Sequence, residues 1–225
     1  MAKGRSRSRP EGGKKTRPAR GVAEAQRLAP WIPAVFFLSG FSALVYQVVW
    51  QRSLFAIFGI NIESVTVVVT VFMLGLGIGS LAGGALSRDL ARPLLLYFGL
   101  AELGIAAYGV ISLRLFEQVG SVTLRMSAYG TGLTTFLLLL VPTMLMGATL
   151  PLLVAHAVHI IGNVGRSVST LYFVNTLGSG VAAILAVLLL MRNLGQHWSV
   201  LVAAMGNTIV GLFALVQHFY SRSSR

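Results

Sequence analysis

Polar and apolar positions alternate in blocks rather than with a short period. Six apolar runs, each near the length of a bilayer crossing, are separated by short polar stretches. They cover residues 31–50, 64–86, 93–113, 133–154, 168–190 and 199–219. About 20 predominantly apolar residues are enough to cross the hydrocarbon core as a helix. The pattern therefore predicts an all-α, polytopic membrane protein of about six transmembrane helices in one domain, residues 29–220. Trp31 and Trp50 bracket the first run and read as interfacial aromatic anchors. Between the third and fourth runs, residues 113–128 mix Arg114, Glu117 and Arg125 with apolar residues. This stretch is expected to lie along the interface rather than cross it.

Composition makes the same case. The chain of 225 residues is 55% hydrophobic and only 11% charged, and a soluble domain carries about 25% charged residues. Too few charges remain to cover a water-facing surface, so lipid is the expected solvent of most of the exterior. Cysteine is absent, which leaves out disulfides and thiolate metal sites.

The net charge of +12 would suggest nucleic acid if it were spread over a surface, but it is concentrated. Nine of the 18 Lys and Arg precede residue 28, in a stretch rich in Gly, Pro and Ser. Residues 1–28 are expected to form a disordered basic tail, neither a signal peptide nor a transit peptide. The tail has no aromatic residue on which bases could stack, and an anionic lipid surface is its expected partner. The positive-inside rule sets orientation. With the N-terminus inside, fourteen basic residues face the cytoplasm and four (Arg52, Arg114, Arg125, Arg192) face away. Both termini, including residues 221–225, are thus expected on the cytoplasmic side of what would be a bacterial inner membrane.

Several residues inside the runs carry chemistry or packing information. Gly75, Gly79 and Gly83 recur every four residues and make one groove. Gly178, Ala182 and Ala186 repeat that spacing in the fifth run. Helices in lipid associate through such small-residue faces. Gly75-Leu76-Gly77-Ile78-Gly79 has the look of a phosphate loop, but it lies in a charge-free apolar run, where no nucleotide is expected. Glu102 is an acid near the centre of the third run and must face the bundle interior. With Gln47, Tyr46 and Asn175 it forms a candidate intramembrane polar site, either an interhelical polar cluster or a substrate or proton site. Pro142 and Pro151 remove hydrogen bonds from the fourth helix and are expected to kink it. His156 and His159 stand three apart at its end, too few ligands for a metal. No nucleophile–base pair, catalytic residue or cofactor motif is recognisable.

A longer set of segments resembles a known family. It comprises residues 37–52 (FLSGFSALVYQVVWQR), 72–80 (FMLGLGIGS), Arg92-Pro93-Leu94 with Ala101-Glu102-Leu103-Gly104, 142–151 (PTMLMGATLP) and 171–178 (LYFVNTLG). Together they resemble the membrane region of spermidine synthase-like proteins, in which a major-facilitator-like bundle is fused to a soluble aminopropyltransferase domain. The resemblance spans residues 35–215 and implies half of a facilitator-type bundle. Members often carry an acid where Gln47 stands. In the loop of residues 84–89, Ser87 holds the usual acidic position, with Asp89 two residues on. An aminopropyltransferase domain requires a glycine-rich loop, a ribose-binding acid and an aspartate that activates the amine. None occurs in these 225 residues. The chain is expected to be a membrane region without the synthase domain, leaning away from an enzyme. It would then act as an accessory or anchor subunit that docks another membrane or membrane-associated protein. The alternative is a transporter or binding protein for a small molecule such as a polyamine, working as a homodimer of six-helix halves.

Overall fold

The computed structural model describes residues 28–59, 62–89, 91–123 and 127–223. The basic N-terminal segment read as a tail lies outside these residues, apart from Leu28. The described chain is helical throughout: α1 (Trp31–Phe58), α2 (Ile62–Leu86), α3 (Leu94–Thr123), α4 (Ala128–Ile161), α5 (Val164–Leu185), a π-helical segment (Ala186–Leu194) and α6 (Gly195–Ser223). Five helical runs among them are long and apolar enough to cross a bilayer, the last being the continuous 58-residue stretch Val164–Ser221.

That last run is bent back on itself. Ser179 Oγ in α5 donates to the carbonyl of Gly40 at 3.0 Å, and Gly206 in α6 lies against Ser42, half a turn further along α1. At 1.5 Å per residue, a straight helix would hold Gly178 and Gly206 about 42 Å apart. The reversal occurs at Gly195, whose φ of 75° and ψ of −179° leave the helical region. Only glycine takes that conformation without strain.

Local chemistry sets the other boundaries. Ser127 caps α4 by accepting from Gly130 N at 3.3 Å. Gly162 ends α4 in the left-handed conformation, φ 73°, with its N–H on Val158 O at 2.7 Å. Asn163 then opens α5, its Oδ1 accepting from Arg166 N at 2.9 Å. A C-terminal glycine followed at once by an Asn N-cap makes a two-residue corner. Between α2 and α3, Asp89 accepts from Ala91 N at 3.0 Å and pairs with Arg92 at 3.4 Å.

The most extensive packing joins α2 to α4, α3 to α6 and α1 to α5. Gly75 sits over Thr143, Gly79 over the Met144 backbone and Gly83 over Ala148 and Pro151. Gly147 of α4 reciprocates against Leu76. Gly178 lies against the backbone of Phe37, and Ala182 and Ala186 are fully buried. Dispersion between closely approaching backbones replaces the hydrophobic drive that lipid does not provide.

Two expectations are corrected. Trp50 is not an interfacial anchor, because α1 continues to Phe58 and Trp50 has no exposure. Its ring stacks on Tyr46 at 4.8 Å and meets Tyr108 and Phe116 edge-on at 5.5 and 6.2 Å. Nor does residue 113 begin a separate interfacial segment. Helix α3 runs on to Thr123, with Phe116 buried against Trp50 while Arg114 and Glu117 face outward.

Pro142 and Pro151 both lie within α4, which remains helical through them. Pro142 has no N–H for the carbonyl of Leu138 four residues earlier. Tyr108 Oη of α3 donates to that carbonyl at 2.7 Å.

Candidate functional site

Glu102 belongs to a buried stripe on α3 made by Phe98, Glu102, Ile105, Gly109, Ser112 and Phe116 at helical spacing. It faces a matching stripe on α1 (Ser39, Ser42, Tyr46, Trp50) and another on α6 (Ala203, Asn207, Val210, Ala214). Where the three meet, the carboxyl group is fully buried. Ser39 Oγ donates to its Oε1 at 2.5 Å, and Asn207 Nδ2 donates to its Oε2 at 2.6 Å. The ion pair found among the described residues is Arg92–Asp89, in the turn before α3, and does not include Glu102.

Ser39 and Asn207 also line a partly open cavity of about 430 Å³ to which all of α1 to α6 contribute. Gln47, Ser80, Thr149 and Asn175 contribute polar groups to its wall, and Phe72, Ile105 and Met146 contribute apolar surface. Glu102 stands one hydrogen bond behind this wall, covered by Ser39 and Asn207.

Of the residues singled out from sequence, Gln47 and Asn175 meet at this cavity, and Glu102 reaches it through its two donors. Tyr46 does not line it. Its ring packs on Trp50, and its Oη, pressed against Gly109, has no hydrogen-bond partner. The direct partners of Glu102, Ser39 and Asn207, were not among the sequence candidates. Asn207 could have been found by the signal that marked Asn175, an amide in the middle of an apolar run. Ser39 gives no such signal, because serine is common in membrane helices.

Ser42 Oγ and, second, Asn207 Oδ1 are also buried without hydrogen-bond partners. The second follows from the chemistry of the pair. The amide turns Nδ2 towards Glu102, which points its carbonyl oxygen away from the carboxyl group. At the far end of the bundle, His156 packs against Trp31 with ring centroids 6.4 Å apart. No group of three or more His, Cys, Asp or Glu that could hold a metal occurs among the described residues.

Fold and site together define a class: an all-helical protein with several helices of bilayer length, built around a fully buried carboxylate beside a polar-walled cavity. Compared with protein-family models, curated proteins and solved structures, the chain matches none.

Proposed function

We propose that the chain is a multi-pass membrane protein that crosses the bilayer six times and binds a small polar solute in the cavity between its helices, as a carrier or binding protein does. The observation that carries this reading is the convergence of Ser39, Gln47, Ser80, Thr149, Asn175 and Asn207 on one cavity inside runs that are otherwise apolar. Polar groups at membrane depth cost free energy, and they characteristically mark solute or ion paths. The return of the chain at Gly195 supports a count of six, with α5 and α6 as separate crossings. An even count keeps both ends on the same side, and the distribution of arginines favours the cytoplasm. The resemblance to the membrane region of spermidine synthase-like proteins fits such a bundle.

The absence of native cysteine provides the test. Gln47→Cys, Ser80→Cys and Asn175→Cys, each alone, should react with a membrane-impermeant thiol reagent in intact vesicles. Leu81→Cys and Ile184→Cys, on outward faces, should not. Equal and negligible labelling at all five positions would remove the cavity as a solute site.

One observation favours docking as a second reading. In the run containing α5 and α6, 17% of the most apolar window is buried, against 28% to 50% in the other four runs. Phe173, Leu177, Ile184 and Leu188 face outward there, available to a second copy or to another membrane protein. Mass measurement of the complex extracted in mild detergent separates a monomer from an assembly.

A further inference from the structure

A carboxyl group in the middle of a membrane bundle needs either a positive partner or a proton. Among the described residues, the buried polar and charged side chains include no Lys, Arg or His. The two groups bonded to Glu102 are the neutral Ser39 and Asn207. Ionised, it would place an unbalanced charge in hydrocarbon, so the acid is held in its neutral form. The geometry then locates the proton. Asn207 Nδ2 has only hydrogens to offer, which makes Oε2 the acceptor and leaves the acid proton to Oε1. Oε1 lies 2.5 Å from Ser39 Oγ, and a hydroxyl serves such a bond as donor or as acceptor. Ser39, only 5% exposed, is also part of the cavity wall. This side chain therefore touches both the acid and the space that opens between the helices.

We propose that Glu102 is a proton-binding site of the cavity, holding an exchangeable proton that passes to and from cavity water through the Ser39 hydroxyl. The inference rests on the solute-cavity reading above and gives that cavity a proton donor. In each transfer Oε1 gives its proton to Ser39 Oγ, and the proton that Ser39 carried goes to a water molecule in the cavity. The return runs through the same two bonds in reverse. No electrons move, and water is the co-reactant. The cavity of about 430 Å³, walled by Gln47, Ser80, Thr149 and Asn175, has the room and the polar partners that water requires. Of the titratable side chains on the neighbouring helices, Tyr46 of α1 lies close enough to feel a charge on Glu102. The buried polar groups of α4 and α6 are Thr135, Thr143, Thr149, Ser199 and Asn207, none of which titrates. No neighbouring base thus competes with Ser39 for the proton.

The experiment uses the full chain in lipid nanodiscs at neutral pH, read by infrared difference spectroscopy. A neutral carboxyl has a C=O stretching band that an ionised one lacks, and its frequency falls when the acid hydrogen becomes deuterium. Subtracting the spectrum of Glu102→Gln, an uncharged side chain of the same shape, isolates the band of this residue. Wild type should show the band, and transfer to D2O should shift it while the protein stays folded. Ser39→Ala should keep the band and slow the shift by about 100-fold, the low end of what a positioned proton-transfer group contributes. A merely structural role for Ser39 predicts the opposite sign, because a loosened contact admits water and speeds exchange. Leu81→Ala, on the outer face, should leave band and rate unchanged. Glu102→Asp carries the assignment if Glu102→Gln does not fold, because the shorter acid moves the band.

Absence of the Glu102 band overturns the proposal, because the acid is then ionised. A band that does not shift in D2O overturns it as well, because the proton is then sealed in, and so does exchange in Ser39→Ala at the wild-type rate or faster. If the cavity cysteines label but the band is absent or does not shift, the proton site fails and the solute cavity stands. If they do not label and the band still shifts through Ser39, the solute reading fails and the proton site stands.

Discussion

Tyr108 and Leu138 are joined by a hydrogen bond that a proline makes necessary. The Leu138 carbonyl would accept from the N–H of residue 142, but that residue is proline, and Tyr108 Oη on the neighbouring helix supplies the donor at 2.7 Å. In hydrocarbon no water is at hand to take its place. The bond therefore ties α3 to α4 where α4 is weakest.

Tyr108→Phe should then destabilise the bundle by roughly 0.5–1.7 kcal/mol, the range measured for interhelical hydrogen bonds in membranes. Pro142→Ala restores the missing N–H, so it should make Tyr108→Phe nearly neutral. A double-mutant cycle read by unfolding in mixed micelles checks this, and additivity of the two changes would contradict it.

Gly79 meets the backbone of Met144, where neither side chain can turn aside. A Cβ there forces α2 away from α4, and Gly79→Ala is expected to cost about 1–3 kcal/mol, as overpacking does. Gly77, two residues before, has open space on its side-chain face. Gly77→Ala should match wild type or exceed it, since alanine is the better helix former by about 1 kcal/mol. Comparing the unfolding midpoints of the two variants isolates the contact from propensity.

The contrast between these glycines shows what was legible in the sequence. A spacing of four puts Gly75, Gly79 and Gly83 on one face by helix geometry alone, whatever the fold. That this face meets α4 is a tertiary fact with no local signal. Glu102 stood out because it is an acid inside an apolar run, and it had to be buried. Its partners could not be read the same way: Ser39 is inconspicuous, and which helix brings an amide to it depends on the order in which helices pack. Trp50 was misread for a related reason. Arg52 appeared to end the apolar run, but Arg52 is exposed and α1 continues past it, which places Trp50 inside the bundle. Two separate runs, 168–190 and 199–219, were expected where the helix turns at Gly195, whereas the π-helical segment before that glycine was not. A shift from four- to five-residue hydrogen bonding leaves no mark on the apolar residues 186–191 with which the segment begins.

The burial of Trp50 has its own consequence. Its Nε1 donates to Ser112 Oγ at 2.9 Å, and Ser112 in turn donates to Gly109 O at 2.7 Å. Trp50→Phe removes the first bond but leaves Ser112 satisfied as a donor, so the loss should come mainly from packing, on the order of 1–3 kcal/mol. Ser112→Ala orphans the indole N–H and should cost a similar amount by a different route. Because each change removes the same bond, the double variant should be less unstable than the sum of the two.

Glu102 separates charge from hydrogen bonding. Glutamine in its place can accept from Asn207 Nδ2 through its carbonyl oxygen and donate to Ser39, whose hydroxyl rotates to accept. Glu102→Gln should therefore fold with stability within about 1 kcal/mol of wild type. Leucine fills the same space but leaves the Asn207 amide with a buried donor and no acceptor, at a cost of roughly 1–3 kcal/mol. Glu102→Leu with Asn207→Leu removes both ends of that bond and should recover most of the loss, because neither group is then left unpaired. Unfolding midpoints of the three variants in nanodiscs give the order: Gln nearest wild type, the double variant next, Leu alone lowest. If Gln proves as unstable as Leu, the carboxylate is held by its charge rather than by these two donors, and the assignment of Ser39 and Asn207 as its structural partners fails.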